Sequence, residues 1–87
     1  MNLMKQLQQM VRETSLLLGK RPIDEDDFIK INGNINSLFD TCHQLKDEEL
    51  GKTQEFKELV KDLEFLVQEE AEYKLLLIAE LERNKNK

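Results

Sequence analysis

The side chains with the most chemical reach in this chain are Cys42, His43 and two acidic groups, Asp24 to Asp27 and Glu69, Glu70 and Glu72. A thiol beside an imidazole is the raw material of a nucleophile and its base, or of half a zinc site. Cys42 and His43 are adjacent, however, and adjacent residues of a helix point about 100° apart. They serve neither purpose without ligands from elsewhere, and the chain holds one Cys and one His. The run Asp24 to Asp27 lacks the alternating ligands, the glycine turn and the closing Glu of a calcium loop. Glu69, Glu70 and Glu72 read as a solvated acidic face, with Glu70 four residues before Lys74 as an ordinary helix pair. No glycine-rich phosphate loop occurs. The expectation is a chain without a catalytic, metal or cofactor site.

Charge narrows the partners. The formal net charge is -5. It divides unevenly: residues 1–21 carry four basic and one acidic side chain, residues 22–52 three and eight, and residues 53–87 six and nine. An acidic body repels phosphate, and Lys5, Arg12, Lys20 and Arg21 are too sparse, and too poor in interleaved aromatics, for a nucleic-acid platform. The longest apolar run, Leu75 to Ala79, falls far short of the roughly 20 residues of a membrane span. Met1 to Met10 alternates polar and apolar residues, unlike a signal peptide. A lone Cys42 on an apolar stripe reads as a small buried hydrophobe, which suits a reducing compartment and predicts a cytoplasmic protein.

These side chains must be carried by helices. Charged residues make up 36 % of the 87 residues and apolar ones 39 %, with one Pro and three Gly. Leu, Glu, Lys and Gln, which lose least on entering a helix, are used heavily. The length fits a single domain with a stability on the order of 5–10 kcal/mol. In the first segment Leu3, Leu7, Met10, Thr14 and Leu17 repeat at steps of four and three, flanked by Met4, Val11 and Leu18. Gly19, the cations Lys20 and Arg21, and Pro22 are stop signals. Helix 1 is predicted over about 3–18.

The second segment has the best-specified start. Asp24 caps it, Glu25, Asp26 and Asp27 place negative charge on the exposed N–H groups of the first turn, and Ile23 and Phe28 occupy the two positions of a hydrophobic staple. Phe28, Ile31, Ile35, Leu38, Cys42 and Leu45 then fall on one helical face. Asn32-Gly33-Asn34 also carries a hairpin signal. The apolar phase is kept across the glycine, which favours a helix over about 24–46, with Gly33 off the seam at a cost of roughly 1 kcal/mol relative to Ala. Lys46 to Thr53 is polar and contains Gly51, so a turn is expected there, with Asp47 or Thr53 able to cap a third helix.

Helix 3 is predicted over about 53–83, roughly 45 Å long against roughly 25 and 33 Å for the other two. Phe56, Leu59, Val60, Leu63, Leu66 and Val67 form a wide stripe. Ala71, Leu75 and Ile78 extend one edge of it, and Tyr73, Leu77 and Leu81 the other. Leu75, Leu76, Leu77 and Ile78 surround nearly the whole circumference, a pattern expected where a helix is buried on more than one side. Two arrangements satisfy it: helix 1 folds back over this end, or the flank from Leu75 to Leu81 is a docking groove or a dimer seam. The fold class read from these patterns is all-α, an antiparallel three-helix bundle with a long C-terminal helix.

A first helix ending at Gly19, an acidic entry into a second, a polar break, and a long last helix reading Leu63-Glu64-Phe65-Leu66-Val67-Gln68-Glu69-Glu70, then Leu75 to Leu81 and Glu82-Arg83, resembles the FliT type of flagellar export chaperone. The resemblance covers nearly the whole chain as layout and helical patterning. It implies a cytoplasmic protein that holds an amphipathic helix of a secreted filament-cap subunit, a type III export client. The client surface would be Val67, Ala71, Leu75 and Ile78, with Leu81 on its flank. The expected function is thus a non-enzymatic binding module, a chaperone or adaptor with a protein partner and neither nucleic acid nor membrane. The alternatives are a structural homodimer that uses the same surface on itself, and a small regulatory inhibitor of the anti-activator or phage type that masks its partner.

Overall fold

The computed structural model describes residues 2–20 and 23–85. Three helices carry the chain: α1 (Leu3–Gly19), α2 (Glu25–Leu45) and α3 (Gln54–Lys85). A single 3₁₀ turn, Leu50–Lys52, lies between α2 and α3, and the described residues contain no strand. The protein is an all-α three-helix bundle.

Each helix starts where its cap is. The Asn2 side chain accepts a hydrogen bond from the Met4 N–H at 2.8 Å. Asp24 accepts one from the Asp27 N–H at 2.8 Å, and Thr53 Oγ1 accepts one from the Phe56 N–H at 3.2 Å. Thr53, rather than Asp47, therefore opens α3. Such caps satisfy N–H groups that have no carbonyl partner within the helix. At the other end of α1 the glycine stop works differently from expectation. The helix includes Gly19 and closes when the Lys20 N–H donates to the Leu17 carbonyl at 3.2 Å, with Lys20 in extended backbone. No left-handed glycine cap is used. Arg21 and Pro22, the remaining stop signals, lie outside the described residues.

The core joins all three helices. Ile31, Ile35, Leu38 and Cys42 of the α2 seam are buried against Met4, Leu7 and Leu18 of α1 and Phe56, Leu59, Leu63 and Leu66 of α3. Two phases correct the sequence reading. In α1 the buried set is Met4, Leu7, Thr14 and Leu18, while Leu3 is exposed. The stripe is thus shifted toward the flanking residues Met4 and Leu18. Thr14 is tolerated there because its hydroxyl donates to the Met10 carbonyl at 2.7 Å, which satisfies it within its own helix. In α3 the buried stripe runs Phe56, Leu59, Leu63, Leu66 and then Glu70, so one member of the supposed solvated face is in the core.

Contacts at the helix ends fix their order. Lys20 meets Asp27 at 2.8 Å and Lys30 meets Glu13 at 3.1 Å, so moving back along α1 means moving forward along α2. The Lys20 hydrogen bond holds the Asp27 carboxyl below its ordinary range, and the same bond holds the Lys20 ammonium above its own. The Phe28 and Tyr73 rings lie 5.8 Å apart, and the Tyr73 hydroxyl donates to the Ile23 carbonyl at 3.4 Å. The start of α2 is therefore beside Tyr73 of α3, while Cys42 and His43 share a groove with Phe56 and Val60. Here too the two helices run in opposite order.

The two interior glycines make opposite demands. A Cβ on Gly33 would meet nothing within 4 Å, and the helix runs through Asn32-Gly33-Asn34 unbroken. On Gly51 it would meet the Leu45 carbonyl oxygen and, at 2.7 and 2.8 Å, the oxygen and carbon of the Lys46 carbonyl. Those are backbone atoms that cannot rotate aside, so Gly51 is where the chain folds back on the end of α2. Gly33→Ala should raise stability by about 0.5–1 kcal/mol. Gly51→Ala should lower it by roughly 1–2 kcal/mol. Urea unfolding of the two variants checks both signs. Equal effects would mean that Gly51 is not a close approach.

Candidate functional site

The length difference between the helices creates the site. At 1.5 Å per residue α3, with 32 residues, is about 48 Å long. The 17 residues of α1 and 21 of α2 give about 26 and 32 Å. Since the start of α2 is beside Tyr73, the residues of α3 beyond Lys74 run on past the bundle, and the described residues span 55 × 21 × 16 Å. Leu75 and Leu81 are each 67 % exposed, Leu76 62 % and Ile78 52 %. Of the two arrangements the sequence left open, α1 folding back over this end is not the one adopted.

The residues expected to meet a partner all face solvent. Val67, Ala71, Leu75, Ile78 and Leu81 are exposed. Ala71, Leu75 and Ile78 lie on the side of α3 away from the buried line of Leu59, Leu63, Leu66 and Glu70, Val67 flanks that line at a groove wall, and Leu81 follows Leu77 by four residues in continuation of the line. Leu77 differs, being half-buried on that inner line. Toward the bundle the outer stripe runs into a groove of about 360 Å³ between α2 and α3, lined by Phe39, Cys42, His43, Lys46, Phe56, Val60, Leu63, Glu64 and Val67. Phe39 is 58 % exposed and was not among the expected site residues. Its signal in the sequence is an aromatic one place off the α2 seam. Groove and stripe form one continuous apolar track along α3.

Of the adjacent Cys42 and His43, only the first is in the core. Cys42 is buried, and burial pushes its thiol above the ordinary range, which makes it a poorer nucleophile. His43 is exposed one position on. Among the described residues no group of three or more His, Cys, Asp or Glu is arranged to hold a metal ion, and no helix is long and apolar enough to cross a membrane.

A second groove, of about 570 Å³, lies between α1 and α3. It is lined by the polar side chains Gln8, Arg12, Ser15, Glu55, Glu58 and Asp62 together with Val11, Leu16, Leu59, Phe65 and Leu66. Arg12 shares it with the carboxylates Glu55, Glu58 and Asp62. The α2/α3 groove is the better candidate because its walls are apolar and lead on to the exposed end. Comparison with protein-family models, with curated proteins and with solved structures finds no match to this chain.

Proposed function

We propose that the protein is a binding module that buries the apolar face of an amphipathic helix along the outer stripe of α3. The observation that carries this reading is the exposure of Leu75 and Ile78 on the face of α3 that Val67 of the α2/α3 groove shares. Exposed apolar patches of this kind are characteristic of docking surfaces. A helix laid in an apolar groove is a common mode of peptide recognition. The role is binding rather than catalysis. A chaperone or adaptor, with a flagellar or type III export client and a cytoplasmic setting, is what the FliT-like layout implies, and it belongs to the same proposal.

Capture from the native cell, with wild type and Leu75→Asp compared side by side, tests the reading. The expected result is a partner whose binding segment is an amphipathic helix, retained by the wild type and lost by the variant. Leu75 is mostly in solvent, so the variant should give an unchanged circular dichroism spectrum. Identical partners from a folded variant would overturn the proposal.

A further inference from the structure

We propose that in the resting protein the outer stripe of α3 is covered by the same stripe of a second copy, lying antiparallel. The inference rests on the stripe being a helix-docking face and names its first occupant. Past Tyr73, Leu77 is half-buried and every other described residue of α3 is exposed, and a helical segment this short is marginal without packing. It also carries Leu75, Leu76, Ile78 and Leu81 largely in solvent.

The order of residues along the stripe selects the occupant. It reads Glu64, Val67, Ala71, Leu75, Ile78, Glu82 and Lys85 at steps of three and four, one face of a helix. A two-fold axis placed between Lys74 and Leu75 maps the stripe onto itself. Glu64 then falls opposite Lys85, Val67 opposite Glu82, Ala71 opposite Ile78, and the two Leu75 side chains meet near the axis. A small side chain faces a large one, and an acid faces a base. Both pairs occur twice, because a two-fold interface is self-complementary. A parallel pairing would set Glu64 on Glu64 and Lys85 on Lys85.

The charge of the whole helix points the same way. From Gln54 to Tyr73, two lysines against seven carboxylates leave -5, whereas from Lys74 to Lys85 three basic and two acidic side chains leave +1. Antiparallel overlap lays the basic end of one copy on the acidic body of the other. Such complementarity fixes register and orientation.

Sedimentation equilibrium of the full chain at low and high micromolar concentration tests the pairing. The expected mass moves from 10.3 kDa toward twice that value for wild type and stays at the monomer for Leu75→Asp. Lys85→Glu should weaken the dimer about fivefold to tenfold. Adding Glu64→Lys to it should restore the dimer, since the swapped pair re-forms only when the helices run in opposite directions. A monomer at both concentrations, a dimer that survives Leu75→Asp, or a double variant that is not rescued would each overturn the proposal. If the chain is monomeric yet captures a helical partner through Leu75, only the second-copy assignment falls. If it is monomeric and its partners ignore Leu75→Asp, the docking reading falls with it.

Discussion

Leu38→Ala is expected to cost about 3 kcal/mol, the largest loss of any substitution considered. Leu38 is at 0 % exposure in the middle of the α2 seam, within the cluster where all three helices meet. Truncating a buried leucine removes its transfer free energy and leaves a cavity that a close-packed interior fills only in part, which together amount to about 2–5 kcal/mol. A domain of this size holds roughly 5–10 kcal/mol in all, so one substitution removes a large share of it. At about 4–8 °C per kcal/mol, the thermal midpoint should fall by roughly 15 °C. Phe39→Ala is the control. Phe39, the next residue on the chain, is 58 % exposed in the α2/α3 groove, and its truncation should cost well under half as much. Melting curves of both variants decide the matter. If Phe39→Ala proved the costlier, α2 would have to be turned by about 100° from the orientation described.

The α2 seam could be read from the chain because only one phase was available. Phe28, Ile31, Ile35, Leu38, Cys42 and Leu45 have polar or small neighbours nearly everywhere else on the helix, so a single face had to go inward. The cap at Asp24 was legible for a similar reason, as a side chain placed one turn ahead of an N–H group it can reach, while Thr53 was one of two candidates, with Asp47, that the polar stretch offered. Helix α1 offered two phases of equal spacing, one starting at Leu3 and one at Met4, which share Leu7 and Thr14. Pattern alone has no means of choosing between them. Packing against both α2 and α3 chose the second, leaving Leu3 outside. Phe39 was passed over because it falls beside the seam rather than on it. A groove between two helices is lined by such flanking residues, and their importance depends on which neighbouring face is left uncovered.

The exposed end of α3 was legible as a surplus of apolar surface but not as a place. Leu75, Leu76, Leu77 and Ile78 announce burial on several sides, and that holds whether the cover comes from the same chain or from another. What the fold adds is the point at which the bundle stops. Tyr73 is held by Phe28 and the Ile23 carbonyl, so the surplus lies beyond the last contact with α2. On the proposed reading the uncovered end and the groove at Phe39 become one track, with stability assigned to one part of α3 and binding to the other. Its first five turns are anchored in the core, and its last turns are kept apolar at no benefit to the monomer.

Glu70 sits on the border between these two halves, and Glu70→Leu is expected to stabilise the protein by about 2 kcal/mol. The residue is 6 % exposed in a stripe that otherwise reads Phe56, Leu59, Leu63 and Leu66. One carboxylate oxygen lies 3.4 Å from the Lys74 ammonium, while the other has no hydrogen-bond partner among the described residues. Withdrawing a charged group from water costs several kcal/mol, which a single long ion pair offsets only in part. An unsatisfied buried oxygen adds about 1–3 kcal/mol. Leucine at this position continues the apolar line. Lys74 would not be stranded, because its side chain is nearly half in solvent and its ammonium also lies 5.9 Å from the centre of the Phe28 ring. The thermal midpoint should therefore rise by roughly 10 °C. A fall would mean that the Glu70–Lys74 pair holds α3 against the start of α2. The sequence reading missed this residue because its type outweighed its position. A step of three or four from Leu66 to Glu70, Tyr73 and Leu77 keeps the inner phase of α3, and a glutamate on that phase closes the apolar core where the free end of the helix begins.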